Sequence, residues 1–309
     1  MLNNKDTEAR LGEEHSDTLR SIGNLASTYQ SQGRWKEAEE LLVQVMETRK
    51  RVLGEEHPDT LTSMNNVAST YRKQGRWKDA EELEVQVTDT RKRVLGEEHP
   101  DTLTSANNLA GTYQSQGRWK ETEELEVQVM ETSKRVLGEE HPDTLTSMVN
   151  LASTYESQGR WKEAEELLVQ VMETMKRVLG DEHPDTLVNI GNLASTYQSQ
   201  GRWKEAEELL VQVMKKMKRV LGEEHPDTLT SMANLASAYQ DQRRWEEAHA
   251  LEMQVMETRK RVPGKKRKST GGSNAARLLA VHTGRPLFEL TIGETVYIYY
   301  VVMKETWML

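Results

Sequence analysis

The sequence predicts an all-α solenoid of six helix-turn-helix repeats, and three observations predict it. Leu-Gly-Glu/Asp-Glu-His begins at Leu11, Leu53, Leu95, Leu137, Leu179 and Leu221, each start 42 residues after the last, so six copies fill residues 11–262 of 309. Apolar residues recur at helical spacing in two segments of each copy. The composition, 29% charged against 36% hydrophobic with a single Phe, suits thin apolar stripes and not one wide core. The expected organisation is a lead-in at 1–10, the array at 11–262, and a basic linker with an irregular tail at 263–309.

The fourth copy shows how each element arises. Leu145, Met148, Leu151, Ala152 and Tyr155 share one face of a first helix, and Ala164, Leu167, Leu168, Val171, Met172, Met175, Val178 and Leu179 share one face of a second. Pro142-Asp143 opens the first helix with a first-turn proline and an acid beside its positive end. Gly159 marks the stop of that helix. Lys176 and Arg177 before Gly180 suit the negative end of the second helix and a left-handed cap. One helix pair cannot bury its stripe alone. Stacking pair on pair buries a continuous seam, with the right hand usual for such repeats.

Met148, Leu151-Ala152, Tyr155, Ala164 and Leu168 stand at the spacings of the tetratricopeptide repeat, and Gly159 and Trp161 occupy its turn glycine and following aromatic. The chain resembles that family over about four-fifths of its length, although the family Trp and Pro are absent. The 42-residue period, the His-Pro-Asp opening and the Asn-Leu-Ala core resemble kinesin light chain repeats in particular. Departures fall at Thr122, where alanine is expected, at Glu84, Glu126 and Glu252 in place of a large apolar residue, and at Arg243 in place of the turn glycine. Copies two, three and six are therefore expected to pack more loosely, each glutamate keeping its head wet.

Composition narrows function. A net charge of −9 disfavours general nucleic-acid binding, which needs a basic surface. The absence of cysteine excludes disulfides, thiolate zinc sites and a cysteine nucleophile, and fits a reducing, cytoplasmic location. Met1 to Asp6 has no apolar core, so no signal peptide is expected, and the longest apolar run, Val296 to Met303, is too short to cross a bilayer. His15, His57, His99, His141, His183 and His225 lie beside acids, yet stacked repeats hold equivalent residues about 10–20 Å apart, too far to share a metal. A turn or capping role is the default. Trp35, Trp77, Trp119, Trp161, Trp203 and Trp245 open the second helices, and core packing is expected over ligand stacking. The Glu-Ala-Glu-Glu segments read as exposed faces pairing with Lys and Arg one turn away. No catalytic constellation, cofactor or metal is expected, and Gly271-Gly272 follows no strand and is no phosphate loop.

The informative face is the other side of the first helix. Thr146, Asn150, Ser153 and Ser157 are spaced four, three and four apart, a stripe directed away from Met148 and Tyr155. Solvated helix faces ordinarily carry Lys and Glu, whereas these are poorer helix formers that hydrogen-bond. Asn24, Asn66, Asn108, Asn150, Asn192 and Asn234 repeat the position in every copy. The family resemblance implies that such asparagines hold the main chain of an extended peptide in a concave groove, since an amide offers both donor and acceptor. The alternative is that they only brace neighbouring helices. Arg20, Arg72 and Lys73 make the first copies more basic, whereas Glu156 and Asp241 lie in later ones. A bound segment would then place its acidic end toward the N-terminal copies.

The functional expectation is a non-enzymatic scaffold that binds a protein or peptide partner, with no nucleic acid and no membrane. The resemblance implies cargo recognition for a microtubule motor, but the ten residues before Leu11 cannot supply that family's heptad segment. The alternative is a detached sensor or assembly arm of a nucleotide-switch (NACHT or NB-ARC) protein, as similar repeats follow such domains. Beyond the array, Arg259 to Lys268 holds seven basic residues in ten and reads as cap plus linker or as a nuclear import signal. Leu287 to Val302 is rich in Val, Ile and Tyr, which permits one or two strands, and this tail is expected to cover the last copy.

Overall fold

A computed structural model describes residues 12, 14–261, 287–291 and 296–300. Each copy is two helices: α1 Ser16–Ser31 with α2 Trp35–Leu53, α3 Pro58–Lys73 with α4 Trp77–Leu95, α5 Pro100–Ser115 with α6 Trp119–Leu137, α7 Pro142–Ser157 with α8 Trp161–Val178, α9 Pro184–Ser199 with α10 Trp203–Leu221, and α11 Pro226–Asp241 with α12 Trp245–Arg261. The array is all-helical, as its periodicity requires. In the tail, β1 Leu287–Thr291 pairs antiparallel with β2 Val296–Tyr300, Leu287 opposite Tyr300. The two strands fall within the Val-, Ile- and Tyr-rich stretch that permits them. The expected linker, its basic stretch beyond Arg261, and the proposed covering of the last copy fall on residues outside those described.

The first helices begin alike for a chemical reason. His57 stands in extended backbone as N-cap, and its Nδ1 accepts the N–H of Asp59 at 3.1 Å, as His99 accepts from Asp101 and His141 from Asp143. The histidines therefore cap. Five of the six first helices end on the glycine of Gly-Arg-Trp, and α11 ends on Arg243 in its place. At Gly159, φ is +75°, the N–H of Arg160 donates to the Tyr155 carbonyl at 2.8 Å, and the N–H of Gly159 donates to Glu156 at 2.9 Å, which together form a Schellman close. The second helices end differently from expectation. Gly54, Gly96 and Gly222 have φ of 94°, 92° and 89° with ψ of 163°, 162° and 163°, so these three take an extended mirror conformation and not a left-handed helical one, while Gly180 has φ 97°.

The chain divides into two compact units, the first carrying α1–α5 and α6 as far as Thr132, the second running from Ser133 through α12. In the first, each helix from α1 to α5 packs on the next, and Ala26, Ala38, Leu42, Leu61, Met64, Val67 and Val87 form a seam that crosses from copy one to copy two. In the second, α7 to α12 pack likewise, with Ala152, Ala164, Leu168 and Leu193 leading into Ala194, Ala206, Leu210 and Leu235. Small alanines let the helices approach, and leucines fill the space between turns. Each stack is of the nearest-neighbour kind that the 42-residue recurrence implies.

Two expectations about packing fail. Glu84 and Glu126 are buried, Glu84 to 1% exposure, in the place of Leu42, Leu168 and Leu210; of the three glutamates only Glu252 is exposed. The heads do not stay wet because neighbouring helices close over them. None of the tryptophans is fully buried: Trp77, Trp203 and Trp245 are exposed, Trp245 to 57%, and Trp35, Trp119 and Trp161 are half-buried. Their backbone carbonyls do the work, since Trp35 accepts from Gln74 Nε2 at 3.3 Å and Trp161 from Gln200 Nε2 at 3.2 Å.

Candidate functional site

Nine residues beyond each histidine cap, the first helix presents its asparagine. Asn24 and Asn66 are exposed and Asn108 half-exposed in the first unit; Asn150, Asn192 and Asn234 are half-exposed in the second. Their backbones are occupied by the fold: Asn66 and Asn192 carbonyls accept from Thr70 and Thr196, and Asn108 from Arg72. Their side-chain amides make no hydrogen bond among the described residues. Each amide thus keeps a donor and an acceptor available to an outside main chain.

Not every residue of the expected stripe joins them. Ser153 is buried to 3%, because a first helix is flanked by neighbouring helices and not only by its own partner, so it does not face a ligand. Arg72 is half-buried: its Nη1 donates to the Asn108 carbonyl at 3.2 Å and occupies the notch left by Gly111, where a Cβ would lie 2.7 Å from that nitrogen. Glu156 is buried and accepts from Thr196. These two side chains join adjacent first helices, as Gln30 Nε2 does by donating to Thr70 Oγ1 at 2.8 Å. Arg20 is exposed and paired with Asp17, and Lys73 and Thr146 are exposed. Of the expected contact set only Ser153 is buried; Arg20, Lys73 and the six asparagines reach solvent, and Arg72 is half-exposed with its guanidinium engaged on the Asn108 carbonyl.

The charges on this face differ between units. In the first, Arg20, Arg72 and Lys73 stand on α1 and α3, with Asp17, Asp59 and Asp101 in the first turns. In the second, α7, α9 and α11 contain no Lys or Arg and carry Asp143, Glu156, Asp185, Asp227 and Asp241.

Sequence reading missed a clamp at the turn. Arg76 lies over the Tyr71 ring, 3.9 Å from its centroid, and donates to Glu39 of the preceding copy at 2.7 Å, while Gln74 Nε2 donates to the same carboxylate at 2.8 Å. The set recurs at Glu81 with Gln116 and Arg118, at Glu165 with Gln200 and Arg202, and at Glu207 with Gln242 and Arg244. The hydrogen bonds from Gln116 and Arg118, and the Arg118 charge, outweigh burial and hold the Glu81 carboxyl below its usual range. The first carboxylate after the alanine is therefore a joint between copies and not a freely exposed face. Its signal was available: Glu, Gln and Arg recur 35 and 37 residues apart, across the copy boundary.

Among the described residues no three His, Cys, Asp or Glu converge to hold a metal, and no helix is long and apolar enough to cross a membrane. Nδ1 of His141 and of His225 accepts a backbone N–H, which commits that nitrogen to the cap.

A family model for the tetratricopeptide repeat matches residues 17–93, 101–177, 148–218 and 187–261. A crystal structure of nearly identical TPR-like repeats from a Podosopora anserina protein named for kinesin light chain is 38% identical, with a TM-score of 0.58 over 67% of this chain and 98% of that one. Two more distant structures share the fold: NprR in complex with its cognate peptide NprX, 16% identical with a TM-score of 0.56 over 82% of this chain and 70% of that one, and a Pyrococcus horikoshii Signal Transduction ATPase with Numerous Domains protein with a tetratricopeptide repeat sensor, 13% identical with a TM-score of 0.59 over 83% of this chain and 38% of that one. A comparison with curated proteins gives no match.

Proposed function

Because the chain belongs to the tetratricopeptide-repeat family, we propose that it is a non-enzymatic, cytoplasmic scaffold that binds an extended peptide segment of a partner protein along the asparagine face of its first helices. One observation carries this reading: the asparagine recurs at the same helical position in all six copies, reaches solvent in each, and leaves its side-chain amide without a hydrogen bond among the described residues. An amide pairs with any peptide unit, so this row supplies affinity, while the side chains around it supply selectivity. NprR, of the same fold, is named as binding a cognate peptide, which supports the class of ligand. The identity to repeats named for kinesin light chain supports a partner drawn from a larger assembly, of which a motor is one.

The test uses the full chain and a library of proteome-derived peptides. Replacing Asn108, Asn150 and Asn192 with alanine leaves the helical circular dichroism intact, since these side chains lie outside the apolar seam, and weakens the captured peptides more than about tenfold, roughly 1.4 kcal/mol or more. Equal affinity for the triple variant refutes the reading and makes the row a brace between helices.

A further inference from the structure

We infer that the first copy carries a second docking face, distinct from the asparagine row, for an amphipathic helix of a partner protein that presents a glutamate with apolar residues three, four and seven places after it. The apolar half of this face is a stripe on α1. Leu25 is 45% exposed, whereas the residue in its place is buried at Val67, Leu109, Leu193 and Leu235. Ser21 and Thr28, one turn to either side, are exposed, although Ser63 and Thr70 of the next copy are buried. In later copies the second helix of the copy before packs on this stripe, as α2 does on α3, α8 on α9 and α10 on α11.

The turn beside Leu25 carries the polar half. In copy two, Gln74 and Arg76 hold the Glu39 carboxylate of copy one. Gln32 and Arg34 occupy the same places in copy one, and the Arg34 guanidinium likewise lies 4.0 Å over the Tyr29 ring, its Nε donating to Glu37 at 2.9 Å. Arg34 Nη1 has only Gln32 Oε1 at 3.3 Å, and Gln32 Nε2 makes no hydrogen bond among the described residues. The cradle is thus assembled as in the other copies, with two donors uncommitted and suited to a carboxylate.

The occupant is specified by what covers the same face inside the array. On α2, Glu39 enters the cradle of copy two while Leu42, Val43 and Met46 join the seam that holds Val67. On α8, Glu165 is followed by Leu168, Val169 and Met172 in the seam that holds Leu193, and α10 repeats the order from Glu207. This order is one face of a helix. A second copy of this chain does not present it. Its α12 has His249 in place of the glutamate and Glu252 in place of Leu42, with Gln240 where Arg72 faces the buried Glu84. The partner is therefore a helix of another protein, laid into the groove by its apolar face and fixed in register by one carboxylate.

The probe is a fluorescein-labelled peptide of residues 35–53, stapled between the exposed positions 36 and 40 to hold it helical, and titrated against the full chain by fluorescence polarisation. Saturable binding is expected, weakened more than about tenfold by Leu25→Asp or Arg34→Ala in the chain and by Glu39→Gln in the peptide. Arg34→Ala and Glu39→Gln together should cost no more than either alone, because they remove one contact. A peptide of residues 245–261 should not bind, and Asn108→Ala should change nothing. Leu25 and Arg34 are exposed, so both variants should keep the helical circular dichroism; Gln32→Ala serves as a second cradle variant. Absence of saturable binding, or equal affinity for Leu25→Asp and Arg34→Ala, overturns the docking face. If the full chain alone self-associates in sedimentation and Leu25→Asp abolishes this, the face belongs to a second copy and the inference of a foreign helix falls.

Discussion

Replacing Glu84 with leucine should stabilise the protein at pH 8 much more than at pH 5. Glu84 sits on α4 at 1% exposure, its Oε2 without a hydrogen-bond partner, in a position where other copies bury leucine. Loss of solvent raises its pKa from 4.5 to about 7; proximity to the Thr112 hydroxyl and the Arg72 charge opposes the rise, and the Glu81 carboxylate adds to it. An acid whose folded pKa exceeds its unfolded value binds protons more tightly when folded. Wild-type stability therefore increases as pH falls from about 7 toward 4.5 and is lost as pH rises through that window. At about 1.4 kcal/mol per pH unit, the penalty is near 3 kcal/mol at pH 8 and under 1 kcal/mol at pH 5. The E84L gain should thus differ by about 2–3 kcal/mol between the two pH values, with E84Q following the same trend. Because repeat arrays unfold locally, guanidinium unfolding is best paired with amide exchange of α4 and α5. An E84L gain equal at both pH values, or a loss at pH 8, would refute the argument that a desolvated carboxyl titrates there.

Two further substitutions test single features of the fold. Arg243 holds φ +60° where the other copies place glycine, so R243G should relieve about 1 kcal/mol of backbone strain; a lower melting temperature for the variant would count against it. Asn189 is 2% exposed with both Oδ1 and Nδ2 unpartnered, while the corresponding Ser63, Ser105, Ser147 and Ser231 donate to carbonyls of their own helices at 2.7–2.9 Å. N189S should stabilise the second unit by about 1–2 kcal/mol, read by denaturant titration, and a neutral or negative result would mean the amide costs nothing there.

Helix bounds were legible because the signals lie within a few residues of each boundary: Pro142 and Asp143 did open α7, and Gly159 did end it. The asparagine row was legible for the same reason, as a helical period needs only one copy to be seen. What escaped was everything decided by a neighbouring copy. Ser153 reads as outward-facing on its own helix yet is buried by helices beside it. Glu84 reads as a snorkelling side chain, but Thr112 and Arg72, which face it, lie 28 residues after and 12 before. The Glu39–Gln74–Arg76 clamp is invisible within one copy. Sites made between copies can be found in the sequence only by comparing residues across the period.

The arginine–glutamate clamps have a genealogical consequence. Every ordinary copy carries a plug on its turn and a matching socket on its second helix, so a duplicated or deleted 42-residue block rejoins its neighbours through the same fit. Such a chain can change length without redesign. One seam is an exception. Arg72 of copy two enters a notch that exists only because copy three has Gly111, where the other five copies have Ser27, Ser69, Ser153, Ser195 and Ser237. A serine there would push the guanidinium away from the Asn108 carbonyl and from Glu84. Copies two and three are thus a matched couple, and shuffling that separated them would oblige that guanidinium to find another place.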